Sequence, residues 1–156
     1  MKPSKSNKQR KRQELLDRMT NDKAVYDRQY DELMAASKQV ERMIKEQAAQ
    51  AARQTAMPSY GGGNGSMIWP ISGPITSEFG WRTHPIFGRQ RFHSGIDIGG
   101  DYGQHVRAAA AGVVSYSGWI SGYGNTIMID HGGGTVTLYG HNQSLAVGEG
   151  TRVSQG

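Results

Sequence analysis

Two patterns of hydrophobic and polar positions divide the chain. Between Leu16 and Ala51 a strict three-four alternation runs through Leu16, Met19, Lys23, Tyr26, Tyr30, Leu33, Ser37, Val40, Ile44, Gln47 and Ala51, and eight of these eleven positions are apolar. No Gly or Pro interrupts residues 4–56, and the flanks are rich in Lys, Arg, Glu, Gln and Ala. This is the signature of one long amphipathic helix. At about 1.5 Å per residue, some 45 residues make a rod about 70 Å long, and a rod cannot bury its own seam. The pattern therefore predicts a helical coiled-coil segment over residues 1–56, paired with a second copy of itself or with another helix. Lys23, Ser37 and Gln47 interrupt the seam, which fits a long hairpin or a marginal coiled coil better than a tight zipper.

From Met67 onward the period changes to short β-branched and aromatic runs between turn clusters, the pattern of an all-β head built as a small antiparallel β-sheet. Expected strands are 68–69, 75–79, 91–93, 97–98, 105–107, 112–117, 126–130 and 135–139, and His131-Gly132-Gly133-Gly134 marks a hairpin between the last two. Residues 57–66 hold one proline and four glycines, so they are expected to form a flexible linker with a reach of roughly 15–20 Å. The head then spans 67–156.

Composition sharpens the division. All 22 glycines lie from Gly61 onward, while the first 56 residues hold 13 of the 18 Lys+Arg and 8 of the 13 Asp+Glu and so carry the whole net charge of +5. The basic cluster Lys8-Gln9-Arg10-Lys11-Arg12 is followed at once by acidic residues and has no aromatic interleaved with it. It reads as a solvated helix face, and no nucleic-acid partner is expected. There is no cysteine, which excludes disulfides and thiolate metal sites and leaves His, Asp and Glu as metal ligands. No apolar run is long enough to cross a bilayer, and Met1 to Arg12 lacks the apolar core of a signal peptide.

The candidate chemistry centres on Arg91-Phe92-His93-Ser94-Gly95-Ile96-Asp97-Ile98-Gly99. An even spacing of four puts His93 and Asp97 on one face of an extended strand, from which both could reach one ion. Imidazole nitrogen and carboxylate oxygen are ordinary zinc ligands, and catalytic zinc takes three protein ligands with a fourth position for water. The same spacing also describes a surface histidine beside a turn aspartate. His-Glu-x-x-His helices, phosphate-cradling loops and serine nucleophile elbows are all absent. A hydrolytic site would need another base, and His141, in Tyr139-Gly140-His141 just past a strand end, is the candidate, since imidazole exchanges protons near neutrality.

Together these segments resemble the lysostaphin-type, LytM-like zinc endopeptidases of peptidase family M23. The resemblance covers about ninety residues: Trp69-Pro70-Ile71-Ser72-Gly73-Pro74-Ile75-Thr76-Ser77-Glu78-Phe79-Gly80-Trp81-Arg82, His93-Ser94-Gly95-Ile96-Asp97-Ile98, Ala109-Ala110-Ala111-Gly112-Val113-Val114, Gly122-Tyr123-Gly124-Asn125, Thr137-Leu138-Tyr139-Gly140-His141 and Val153-Ser154-Gln155-Gly156. It implies a lysostaphin-like peptidase fold, His93 and Asp97 as the first two zinc ligands, His141 as a catalytic histidine, and bacterial peptidoglycan as the substrate. A cell-envelope or extracellular location follows from the same resemblance, as does a coiled coil ahead of the peptidase head.

The family's third zinc ligand and a second catalytic histidine come from a His-x-His motif, which this chain does not contain. The expectation is therefore a zinc endopeptidase cutting peptide cross-links, present as a fragment that is incomplete at its C-terminus and inactive alone. His84, His105 and His131 are expected to be structural. The competing readings are a non-catalytic head that activates a cell-wall amidase, and a wall-binding module.

Overall fold

A computed structural model of the chain describes residues 6–53 and 66–156. The expected linker, but for Ser66, lies outside the described residues. Helix α1 spans Asn7–Arg53, 47 residues without a break. It opens on a reciprocal cap: the Ser6 backbone N–H donates to Gln9 Oε1 at 2.9 Å, and the Gln9 N–H donates to Ser6 Oγ at 3.4 Å. Each side chain thereby satisfies a backbone donor that the first helical turn leaves unpaired.

The head holds eight strands: β1 (Ile75–Ser77), β2 (Gly80–Thr83), β3 (Gln90–His93), β4 (Asp97–Ile98), β5 (Gly112–Ile120), β6 (Gly124–Asp130), β7 (Val136–Asn142) and β8 (Arg152–Val153). They form two antiparallel pairs, β1-β4 and β2-β3, and a four-stranded antiparallel sheet in the order β7-β6-β5-β8. The glycine hairpin after Asp130 forms as expected, with the His131 N–H donating to Thr135 O at 3.0 Å. The expected strands at 68–69 and 105–107 do not form. Their segments do run antiparallel, with Ile68 N–H on Ala109 O at 2.9 Å and Arg107 N–H on Pro70 O at 2.8 Å. Pro70 has no N–H to return, so the ladder stops there.

The four-stranded sheet is apolar on both faces. Val114, Ile127 and Ile129 form a core on one side with Tyr139, Leu145, Val147 and Val153 packed against them. Met128, which is fully buried, and Ile120 point to the other side, where they meet Ala36 and Val40 of α1. Met43 and Ile44 of the helix complete that layer together with Tyr116, Tyr123, Val136 and Leu138. Thr126 to Ile129 are accordingly buried without alternation, as in a strand covered on both faces.

The helical seam therefore has a different partner from the one its periodicity predicts. From Tyr26 to Gln47 it is covered by the chain's own sheet and by the β2-β3 pair, with no second helix among the described residues. Gln47 Nε2 donates to Ser115 O at 2.9 Å, so one of the polar interruptions of the seam is a contact with β5. At Gly122, with φ of +83°, a Cβ would lie 3.2 Å from Leu33 Cα; a side chain there would push the helix away. Near the β2-β3 end the buried Arg91 guanidinium lies 3.8 Å from the Tyr30 ring centroid and 5.0 Å from that of Tyr26, and it forms an ion pair with Asp27. The first seam positions, Leu16 and Met19, remain exposed.

Val40 is 8% exposed, and Val40→Asp would place a carboxylate against Met128 and Ile120. The expected loss is about 2–4 kcal/mol in urea unfolding, together with faster amide exchange along α1 from Tyr26 to Gln47. Unchanged exchange there would contradict the packing described.

Candidate metal centre

His93 ends β3 and Asp97 begins β4, and these strands belong to different pairs. On one extended strand the two residues would sit about 13 Å apart, too far to share an ion. The bend Ser94-Gly95-Ile96 brings them together instead, with His93 Nε2 3.3 Å from Asp97 Oδ1. The preceding segment braces both ends of this bend. Ser77 of β1 pairs with Asp97, Gly80 of β2 pairs with His93, and the Glu78 carbonyl between them lies 2.9 Å from His93 Nδ1.

That carbonyl fixes the chemistry of the ring. A carbonyl only accepts, so Nδ1 carries a proton, and Nε2 is the ring nitrogen turned towards the Asp97 carboxylate. A backbone carbonyl on the far ring nitrogen is the usual second partner of a metal-bound histidine. A tetrahedral ion with bonds of about 2.0–2.1 Å sets its ligand atoms about 3.3–3.4 Å apart, which matches the observed separation. The His93 side chain is 14% exposed and that of Asp97 52%, so the pair opens to solvent on the carboxylate side. These two residues fit a zinc ion as two ligands. Among the described residues no third His, Cys, Asp or Glu completes the set.

His141 lies in a bulge of β7. Ile127 pairs with Tyr139 and Asn125 with Asn142, so the single residue Thr126 faces two residues, Gly140 and His141. Tyr139 packs into the core, whereas His141, two residues on, is exposed. A bulge re-aims side chains in this way and is common beside active sites. His141 has φ of +59°, the one positive φ at a non-glycine residue among those described. That left-handed conformation costs an L-residue about 1–2 kcal/mol, and strain of this sort gathers where function requires a side chain in a given place.

Tyr123 connects the bulge to the His93-Asp97 bend. Its carbonyl accepts the His141 N–H at 2.6 Å, and its hydroxyl lies 3.5 Å from Ser94 Oγ. Asn125 and Asn142 hold the same bulge through reciprocal amide bonds: Asn125 Nδ2 donates to Asn142 O at 3.1 Å and Asn142 Nδ2 donates to Asn125 O at 3.0 Å. The roles of the Glu78 carbonyl and of Tyr123 are not visible in the pattern of side chains, because each acts here through a backbone atom or through its place in the fold.

The other histidines divide. His131 uses both ring nitrogens, Nδ1 at 2.7 Å from Ala111 O and Nε2 at 2.8 Å from Thr137 Oγ1. His84 Nδ1 accepts the N–H groups of Ile86 and Phe87, while its ring stacks on Phe87 and meets Tyr26 edge-on. Both rings are thus engaged by neighbouring groups of the fold. His105 is exposed and lines a cleft elsewhere on the head.

Residues 91–156 match the profile of Peptidase family M23. The chain is 46% identical over 76 residues to the DD-carboxypeptidase/endopeptidase Mpg of Neisseria meningitidis serogroup B, covering 49% of this chain and 18% of that protein. It is 36% identical over 96 residues to the murein hydrolase activator EnvC of Escherichia coli, covering 62% of this chain and 22% of that protein. The chain thus spans about a fifth of the length of these relatives. A crystal structure of a Pseudomonas aeruginosa chain assigned to peptidase M23 superposes with a TM-score of 0.52 at 32% identity, over 76% of this chain and 46% of that one. The segment that carries His93, Asp97 and His141 is thus the part of the chain that matches the model of Peptidase family M23.

Proposed function

We propose that the head is the larger part of a zinc-dependent endopeptidase site that hydrolyses peptide cross-links of bacterial peptidoglycan in the cell envelope. The observation that carries this reading is the His93-Asp97 pair, with Nδ1 on the Glu78 carbonyl and Nε2 3.3 Å from Asp97 Oδ1. His93 and Asp97 would hold the ion, with the third ligand supplied by a His-x-His motif of the kind the family resemblance implies. When bound, zinc supplies a Lewis acid and brings the pKa of coordinated water to about 7.

The chain's own residues supply the rest. The Glu78 carbonyl, by accepting from Nδ1, orients the His93 ring so that Nε2 is the nitrogen that would face the metal. His141, held outside the core by its bulge, takes a proton from the attacking water and returns it to the departing amine. Tyr123 keeps that bulge in contact with the bend between the two ligands. Exposure of Asp97 and His141 leaves room for an extended peptide rather than a small buried substrate.

A second reading is a head that activates a cell-wall amidase. It is favoured by the likeness to a protein named as a murein hydrolase activator. Zinc content decides between them. In a protein extended through the His-x-His segment, the endopeptidase reading expects one zinc per head and release of peptide fragments from purified peptidoglycan. His93→Ala should lose both, whereas His141→Ala should keep the zinc and lower hydrolysis by at least about a hundredfold. A metal-free head that stimulates an amidase would establish the second reading instead.

The bulge gives an independent check. His141→Gly removes a side chain from a left-handed position, so it should stabilise the fold by about 0.5–1 kcal/mol in urea unfolding while abolishing hydrolysis. Destabilisation of similar size would mean that the His141 ring serves the fold rather than the chemistry.

A further inference from the structure

A cleft of about 610 Å³ opens between the segment before β1 and the segment before β5, lined among others by Trp69, Ile71, Ile75, Gln104, His105 and Arg107. Its walls are stitched together. The Arg107 N–H donates to Pro70 O at 2.8 Å, and Gln104 Nε2 donates to Ser72 O at 3.1 Å while its Oε1 accepts the Asp101 N–H at 2.9 Å. These bonds tie the walls of the open groove to each other, and its volume lies within the range of small-molecule sites.

The lining has a definite chemistry. Arg107 and His105 are its only ionisable groups, and no carboxylate faces them in the cleft. The head has five arginines. Arg82 bonds to Ser77 Oγ, Arg89 and Arg91 pair with Asp27, and Arg152 is engaged. Arg107 is the one whose side chain has no partner among the described residues. Beside it Trp69 is 65% exposed and Ile75 47%, so an aromatic face and an aliphatic floor stand open next to a guanidinium fork.

The position is as informative as the chemistry. Ile75, in the cleft wall, pairs with Ile98, and the next pair of the same ladder is Ser77 with Asp97. The cleft therefore lies one strand pair along from the candidate metal ligand, at the end of β1 away from His93. A molecule seated in it would run along β1-β4 to reach the metal centre.

We propose that this cleft is an anchoring subsite for a muropeptide, with an N-acetylated sugar ring packed on Trp69 and a stem-peptide carboxylate paired with Arg107. The proposal rests on the peptidoglycan reading above. A pyranose ring presents C–H groups on one face that pack on an indole, and a planar carboxylate matches the guanidinium fork with two parallel hydrogen bonds. A phosphate ligand fits less well, since among the described residues no helix N-terminus converges on the cleft. The anchored stem would place its peptide bonds towards Asp97, so the cleft would set which bond reaches the metal.

The test is calorimetric titration of a purified disaccharide-tetrapeptide muropeptide into the whole chain, with thermal melts confirming that each variant folds. Arg107→Gln should raise Kd about tenfold, and amidation of the stem carboxylates should cause the same loss in the parent protein but no further loss in Arg107→Gln. Trp69→Ala should weaken binding comparably, and Arg10→Gln, at the exposed start of α1, should leave Kd within about twofold. The idea is overturned if His93→Ala abolishes binding while Arg107→Gln does not, which would seat the ligand at the metal centre. Equal affinity for an unrelated acidic peptide would overturn it as well, by making the cleft a protein-docking site, and so would absence of binding at millimolar muropeptide. Zinc content and hydrolysis of peptidoglycan are measured separately, so failure of the subsite and failure of the endopeptidase reading give different results.

Discussion

A sheet of four short strands that is apolar on both faces cannot stand alone in water, and the rest of this structure follows from how the second face is covered. Val114, Ile127 and Ile129 close one side with the chain's own loops and β8. The other side would leave Met128 and Ile120 in solvent were it not for Ala36, Val40, Met43 and Ile44 of α1. At about 25 cal/mol per Å² of apolar surface removed from water, each of these side chains contributes on the order of 1–3 kcal/mol. Isolated helices gain little from propensity alone, so the packed half of α1 depends on the sheet as much as the sheet depends on it.

That mutual cover also explains the buried arginine. Arg91 sits in β3, two residues before His93, and its guanidinium lies between Tyr26 and Tyr30 with Asp27 as its counter-ion. Taking a charge out of water is expensive unless it is well paired, and its Nε has no partner. Two aromatic faces and a carboxylate offset the cost. The Tyr30 hydroxyl also lies 3.5 Å from the Phe92 N–H, so the strand that presents His93 is held on one side by its ladder with β2 and on another by α1.

Much of this was legible in the residues, and the limits have physical causes. The three-four alternation located the buried face of α1, because a helical stripe is a local property of the sequence. Its partner was not local, and a stripe that fits a second helix fits a sheet equally well. The signal lay in β6, where Thr126 to Ile129 lack the alternation expected of a strand with one wet face. His93 and Asp97 were legible as a pair, but the route by which they meet was not, since a spacing of four has a different meaning across a bend and along a strand. The segments at 68–69 and 105–107 did lie opposite each other, and one missing N–H at Pro70 kept them from forming a ladder.

The departures from regular structure are not scattered over the head. The unpaired residues of the β1-β2 and β3-β4 segments face each other at Glu78 and Ser94-Gly95-Ile96, and the extra residue of β7 falls at Gly140-His141. Each irregularity turns a group out of its ladder: a carbonyl onto His93, a carboxylate towards the same ring, an imidazole into solvent. Sequences that fold well avoid such local conflicts except where something else requires them. A regular ladder through Gly140 and His141 would remove the left-handed residue, yet it would leave His141 on the same face as Tyr139, in the core. The strain at His141 is thus tied to the exposure of its ring, and Tyr123, bonded to the bulge and adjacent to Ser94, ties that ring's position to the bend that holds His93 and Asp97.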